Sequence, residues 1–182
     1  QAGVDAALAL FGTPLVYNPY HQIGLDAAFG FWGFNFRVEL AANLTSDMSG
    51  DDPAVYNPNL AWHLGFDREL FWDITAMVMA SETITLLHDQ IGAGDMEAGS
   101  KVTSTNIMLV LSKSFLDGDL SVQLAGMLTI ENFGFAIMPG ISWSQGDFTL
   151  SLNAGILGGA DDSQFGLLKD ASFISLGMRY SF

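Results

Sequence analysis

The stretch Phe34-Asn35-Phe36-Arg37-Val38-Glu39-Leu40-Ala41-Ala42-Asn43-Leu44 decides the fold. Phe34, Phe36, Val38, Leu40, Ala42 and Leu44 are apolar, and the residues between them, Asn35, Arg37, Glu39, Ala41 and Asn43, are polar or small. A period of two marks a strand with unlike faces, because successive side chains leave a sheet on opposite sides. The same alternation runs from Leu120 to Ile130. It returns at the C-terminus, where Ile174, Leu176, Met178, Tyr180 and Phe182 oppose Phe173, Ser175, Gly177, Arg179 and Ser181. No comparable stretch carries a helical i, i+3, i+4 stripe.

Extended over the 182 residues, the pattern predicts about ten strands. They lie near 2–11, 21–31, 34–44, 59–67, 70–86, 101–115, 120–131, 133–144, 148–157 and 171–182. Short turns fall at Trp32-Gly33, Asp67–Glu69, Leu116–Asp119 and Gln145–Asp147, and longer polar loops at 12–20, 45–58, 87–100 and 158–170. Only the Glu131–Phe133 link breaks this alternation.

Composition narrows the class. Charged residues are 14% of the chain, hydrophobic residues 49%, and the net charge is −14 from 20 acids and 6 Lys+Arg. Disorder needs low hydrophobicity, which excludes it here. Six basic residues neutralise few phosphates, so nucleic acid is not an expected partner. The absence of cysteine removes disulfides and thiolate chemistry. A membrane-spanning helix needs about 20 apolar residues, and the longest run, Ile74–Ala80, is interrupted by Thr75. Gln1-Ala2-Gly3 has neither the basic start nor the apolar core of a signal peptide, as expected of a processed chain.

Short turns at one end and long loops at the other are the pattern of transmembrane β-barrels, whose strands cross with about 9–11 tilted residues. A soluble sandwich would place Lys and Glu on its solvent faces; here those positions hold Ser, Gly, Ala, Thr, Asn and Met. Aromatics gather at both strand ends. Phe29, Phe31, Trp32, Phe34, Phe36, Phe66, Phe71, Trp72, Phe115, Trp143 and Phe148 lie near the short turns. Tyr17, Tyr20, Tyr56, Trp62, Phe133 and Phe135 lie near the long loops. Two such girdles fit the two interfaces of a bilayer. The predicted fold is therefore an all-β transmembrane antiparallel β-barrel of about ten strands, with eight or twelve as alternatives.

The last eight residues, Ser175-Leu176-Gly177-Met178-Arg179-Tyr180-Ser181-Phe182, resemble the C-terminal signal of bacterial outer-membrane β-barrel proteins. That signal reads polar, any, Gly, any, any, aromatic, any, aromatic, and Ser175, Gly177, Tyr180 and Phe182 fill its specified positions. The resemblance implies an outer-membrane location, insertion by the barrel-assembly machinery, contact with outer-membrane lipids, periplasmic short turns and outward long loops. It identifies no subfamily.

Candidate functional residues then sort by face and loop. Inward positions are mostly small, which leaves either a cavity or walls that meet. Asp26, Arg37, Glu39, His63, Asp73 and Arg179, with Asp5, form the inward ionisable set, where structural pairing is the plain reading and cation preference the functional one. Met77, Met79, Met108, Met127 and Met138 point inward from four successive strands, as packing, an apolar ligand patch or a soft-metal site. Asp47, Asp51, Asp52, Asp161 and Asp162 are weak Ca²⁺ candidates in acidic loops, without ordered EF-hand spacing; no other cofactor is expected. His88-Asp89 has no accompanying nucleophile motif, so an enzyme is not expected. Pro14-Leu15-Val16-Tyr17-Asn18-Pro19 recurs as Pro53-Ala54-Val55-Tyr56-Asn57-Pro58, either as a repeated loop-to-strand entry or as a paired ligand site at the outer rim.

The expected function is a narrow passive channel for small solutes or cations. The alternative is a closed structural or surface-binding barrel that engages a copy of itself or an envelope protein.

Overall fold

In the computed structural model residues 18–182 are described. The strand expected over 2–11, with Asp5 and Tyr17, lies outside them.

Nine strands form one sheet in chain order: β1 (Tyr20–Phe31), β2 (Phe34–Thr45), β3 (Asn59–Glu69), β4 (Thr75–Thr85), β5 (Thr103–Phe115), β6 (Leu120–Thr129), β7 (Gly134–Gln145), β8 (Phe148–Gly159) and β9 (Phe173–Tyr180). Every neighbouring pair is antiparallel. Apart from single 3₁₀ turns there are no helices among the described residues, and none is long and apolar enough to cross a membrane.

The alternation that defines the strands also fixes their register, since a slip of one residue would exchange the faces. One row runs Asp26, Glu39, His63, Ser81, Asn106, Thr129, Gly134, Gly159 across β1 to β8. It starts in the middle of β1 and ends on the last residue of β8, so the strands are progressively staggered. Stagger of this kind is what tilts strands when a sheet curls upon itself.

The sequence predicts a closed ten-strand barrel; the described residues form an open nine-strand sheet with β1 and β9 at its edges. The reason is directional. In an unbroken antiparallel order the first and ninth strands run the same way, so they cannot pair antiparallel with each other. An all-antiparallel closure needs one further strand antiparallel to both.

The short turns follow local chemistry. Trp32 and Gly33 both adopt positive φ (51° and 76°), the geometry of a two-residue hairpin matched to strand twist. At the β3–β4 connection the sequence reading expects continuous strand from residue 70. Instead Leu70 N–H donates to Ile74 O at 2.7 Å, and Phe71–Asp73 forms a 3₁₀ turn.

Almost nothing is buried. Ala125 and Ala136 are the only buried hydrophobic residues among those described, whereas Leu25 is 68%, Leu176 72% and Ile174 79% exposed. A globular domain stacks a second layer on such a face; this sheet has none among the described residues.

Candidate functional site

The two faces of the sheet differ in chemistry. The apolar face carries Leu25, Leu40, Leu64, Val78, Leu109, Leu124, Ile141, Leu152 and Leu176 along the strand centres. At its turn end the rings associate: Phe29 stacks on Phe36 with centroids 5.4 Å apart, Phe66 meets Phe34 edge-on at 5.9 Å, and Trp143 meets Phe148 at 6.2 Å. Cations join the same band, with Arg68 over the Phe34 ring at 4.7 Å and Lys113 over Phe115 at 5.0 Å. At the loop end Phe133 and Phe135 lie 6.1 Å apart. Trp62 donates its indole N–H to Glu82 at 3.0 Å, which secures the one carboxylate that alternation puts on this face near a strand end.

The polar face gathers most of the predicted ionisable set. Asp26, Glu39 and His63 are register neighbours on β1, β2 and β3. Arg37 does not join them through its guanidinium: it forms an ion pair with Asp67 at 3.0 Å, and Asn35 donates to the other Asp67 oxygen at 2.8 Å. Asp67 reads in the sequence as a turn residue; β3 extends through it, which puts it diagonally across from Arg37. Asp73 does not belong to this face. It sits in the 3₁₀ turn with φ 56°, because the chain turns there rather than continuing as strand. Arg179 lies on β9 opposite Thr149, remote in the sheet from the β1–β3 group.

The five methionines come together. Met79, Met108 and Met127 are direct cross-strand partners on β4, β5 and β6. Met77 and Met138 belong to the adjacent row, which runs Met77, Val110, Ala125, Met138. Four strands thus present one thioether patch on an otherwise small and polar face, while the charged groups other than Arg179 occupy β1–β3.

Small residues on this face allow close approach. A side chain at Gly177 would meet Ser151 Oγ at 2.7 Å, and Gly155 lies under the Phe173 ring. Of the predicted assembly signal, Ser175 and Gly177 are on the polar face of β9, Tyr180 is on the apolar face at the turn end, and Phe182 follows the strand, fully exposed.

The acidic loops are shaped by their carboxylates. Asp47 accepts from the N–H groups of Ser49, Gly50 and Asp52 at 3.2, 2.9 and 2.8 Å and from Ser49 Oγ at 3.0 Å. These bonds, the Asp52 N–H foremost, hold its carboxyl below the usual range. Asp51 accepts from Ser49 Oγ at 2.7 Å, and Asp52 from Ala54 N–H at 3.0 Å. Asp161 pairs with Lys169 at 2.8 Å, and Asp162 is exposed. No group of three or more His, Cys, Asp or Glu able to hold a metal occurs among the described residues. His88 contacts the Ser100 carbonyl through Nε2 at 2.9 Å.

Two further features appear at the loop end of the sheet. Glu131, in the β6–β7 link, accepts from Thr105 N–H at 2.7 Å and Thr105 Oγ1 at 2.5 Å. Burial opposes its charge, yet these bonds outweigh burial and bring its carboxyl down to about 2. The second is a cavity of about 570 Å³ at the loop end of β1–β3, where Gln22, Asn43 and Asn59 are register partners. Its sequence signal is the Pro-x-Val-Tyr-Asn-Pro repeat, since Asn18 and Tyr56 both line it.

Comparison with protein-family models, curated proteins and solved structures finds no match.

Proposed function

We propose that this chain is an outer-membrane β-barrel whose polar face lines a narrow passage for small solutes. The observation that carries the reading is the apolar face: it is exposed across nine strands, bounded at both ends by rings, and covered by no second layer among the described residues. Water-exposed apolar patches on soluble monomers reach only a few hundred Å². Lipid tails solvate such a face without a partner protein, and the rings with Arg68 and Lys113 match a headgroup boundary.

An open edge cannot sit in hydrocarbon, where unpaired N–H and C=O groups cost several kcal/mol each. The proposal therefore requires one further strand outside the described residues, between the edges of β1 and β9. Chain direction alone makes a strand preceding β1 antiparallel to both β1 and β9. The stagger of about one residue per strand suits a closed ring of ten with the usual tilt. The C-terminal resemblance adds the assembly route.

The test is reconstitution of the full chain into a planar bilayer. Steady unitary currents, with a heat-dependent shift on a mild detergent gel, are the expected result. A heat-modifiable but electrically silent protein would make it a closed surface-binding barrel, and the lack of any heat-dependent shift would remove the barrel.

A further inference from the structure

The geometry points to a binding site for a neutral saccharide in the loop-end cavity of β1–β3, where the two sequence repeats meet. Asn18, from the first repeat, donates through Nδ2 to the Ala54 carbonyl of the second at 3.1 Å, so the repeats are joined at the cavity wall. The second repeat divides its labour. Asn57 is buried and anchors the loop, its Nδ2 donating to the Leu86 and Leu87 carbonyls, each at 3.1 Å. Tyr56, beside it, is displayed, 55% exposed, and Tyr20 at the start of β1 is 54% exposed. Both residues line the cavity.

The polar lining is carboxamide and hydroxyl: Gln22, Asn43, Asn59 and Thr45, with Asn18 at the wall. Among the described residues, none that lines the cavity is charged, in a chain of net charge −14. The neighbouring acids are turned to backbone: Glu97 accepts the Asn57 N–H at 2.7 Å and Asp52 the Ala54 N–H at 3.0 Å. Asn43 Nδ2 donates to Asn59 Oδ1 at 2.8 Å, and among the described residues the Asn43 oxygen and the Asn59 amide nitrogen have no other side-chain partner.

This chemistry selects among ligands. A carboxamide offers donors and an acceptor in one plane, and a sugar hydroxyl both donates and accepts. The apolar C–H face of a pyranose packs on an exposed aromatic ring, whose body is apolar and whose tip is polar. An ion would find no opposite charge here, and a purely apolar ligand would strand the amides without partners. A volume of about 570 Å³ holds a di- or trisaccharide. The site rests on the barrel reading only for its place at the mouth of a lumen; binding itself requires no conduction.

The experiment is saturation-transfer NMR on the full chain refolded in detergent, with maltose, lactose and raffinose as neutral probes and digalacturonate as the charged one. A Kd of about 1–10 mM for at least one neutral probe is expected. Tyr56→Ala and Asn43→Ala are each expected to weaken it by about tenfold or more, while Tyr56→Phe retains it. Tyr56 is exposed in a loop, so its variants should keep the heat-dependent gel shift of the parent. Saccharide signals without channel currents would end the channel reading and leave this site standing. Currents without a Tyr56-dependent saccharide signal would do the reverse. Stronger binding of digalacturonate than of every neutral probe would also overturn the assignment.

Discussion

At the scale of single residues, hydrogen bonds rather than ion pairs set the charges of the loops. Glu131 shows the consequence most directly. Its carboxyl, with an ordinary value of 4.5, is brought down to about 2 in the folded chain by the two Thr105 bonds. A depressed carboxyl contributes stability that is complete above its unfolded value and is lost as pH falls. The β5–β6–β7 region should therefore lose stability between about pH 4.5 and pH 2, with no contribution from Glu131 to pH dependence above that window. Glu131→Gln, which keeps one acceptor but no charge, is expected to cost about 1 kcal/mol at pH 7 and to flatten this acid limb. Urea unfolding in lipid vesicles at pH 7 and pH 3 checks both. Equal losses for parent and variant across that interval would refute the assignment. Nothing in the sequence flags Glu131, because its partners lie 26 residues away and become neighbours only through the β5–β6 register.

Among the strands and turns, the sequence was legible wherever alternation continued without interruption. Predicted strands at 34–44, 120–131 and 148–157 correspond to β2, β6 and β8 within two residues. The miss at Asp73 has a definite cause. The apolar run Leu70-Phe71-Trp72 reads as the start of a strand, but the left-handed Trp72 and Asp73 bend the chain there, and side-chain patterning does not record φ. Arg37 lies on the expected face, but its partner Asp67 is not legible in the sequence, because diagonal neighbours depend on a register that a single strand does not contain. Two glycines separate turn from strand requirements. Gly33, at φ 76°, closes the β1–β2 hairpin, so Gly33→Ala should cost about 1–2 kcal/mol. Gly126, mid-β6, has no atom within 4 Å of an added Cβ, and Gly126→Ala should gain about 0.5–1 kcal/mol. Opposite shifts of the urea midpoint for the two variants are the expected outcome; shifts of the same sign would contradict the hairpin geometry.

For the whole molecule, the net charge of −14 acquires a location. Nine of the 20 acids fall in the connections 46–58, 86–102 and 160–172, against only Lys101 and Lys169 among the basic residues there. The polar face of the sheet is closer to balance, since Asp67 is matched by Arg37, leaving Asp26, Glu39 and Glu69 against Arg179. If the polar face lines a passage, its preference for cations comes from the acidic mouth more than from a ring of charge inside. The two origins differ in their response to salt. Exposed loop charges are screened over about 10 Å at 0.1 M and about 3 Å at 1 M, whereas partly buried charges are screened much less. Reversal potentials under a KCl gradient should therefore give a cation preference around 0.1 M that collapses toward equality around 1 M. Neutralising Asp89 and Asp162, both exposed, should weaken the 0.1 M preference and leave the 1 M value unchanged. A preference that persists at 1 M and disappears in Glu39→Gln would place selectivity on the β1–β3 charges and refute control by the mouth.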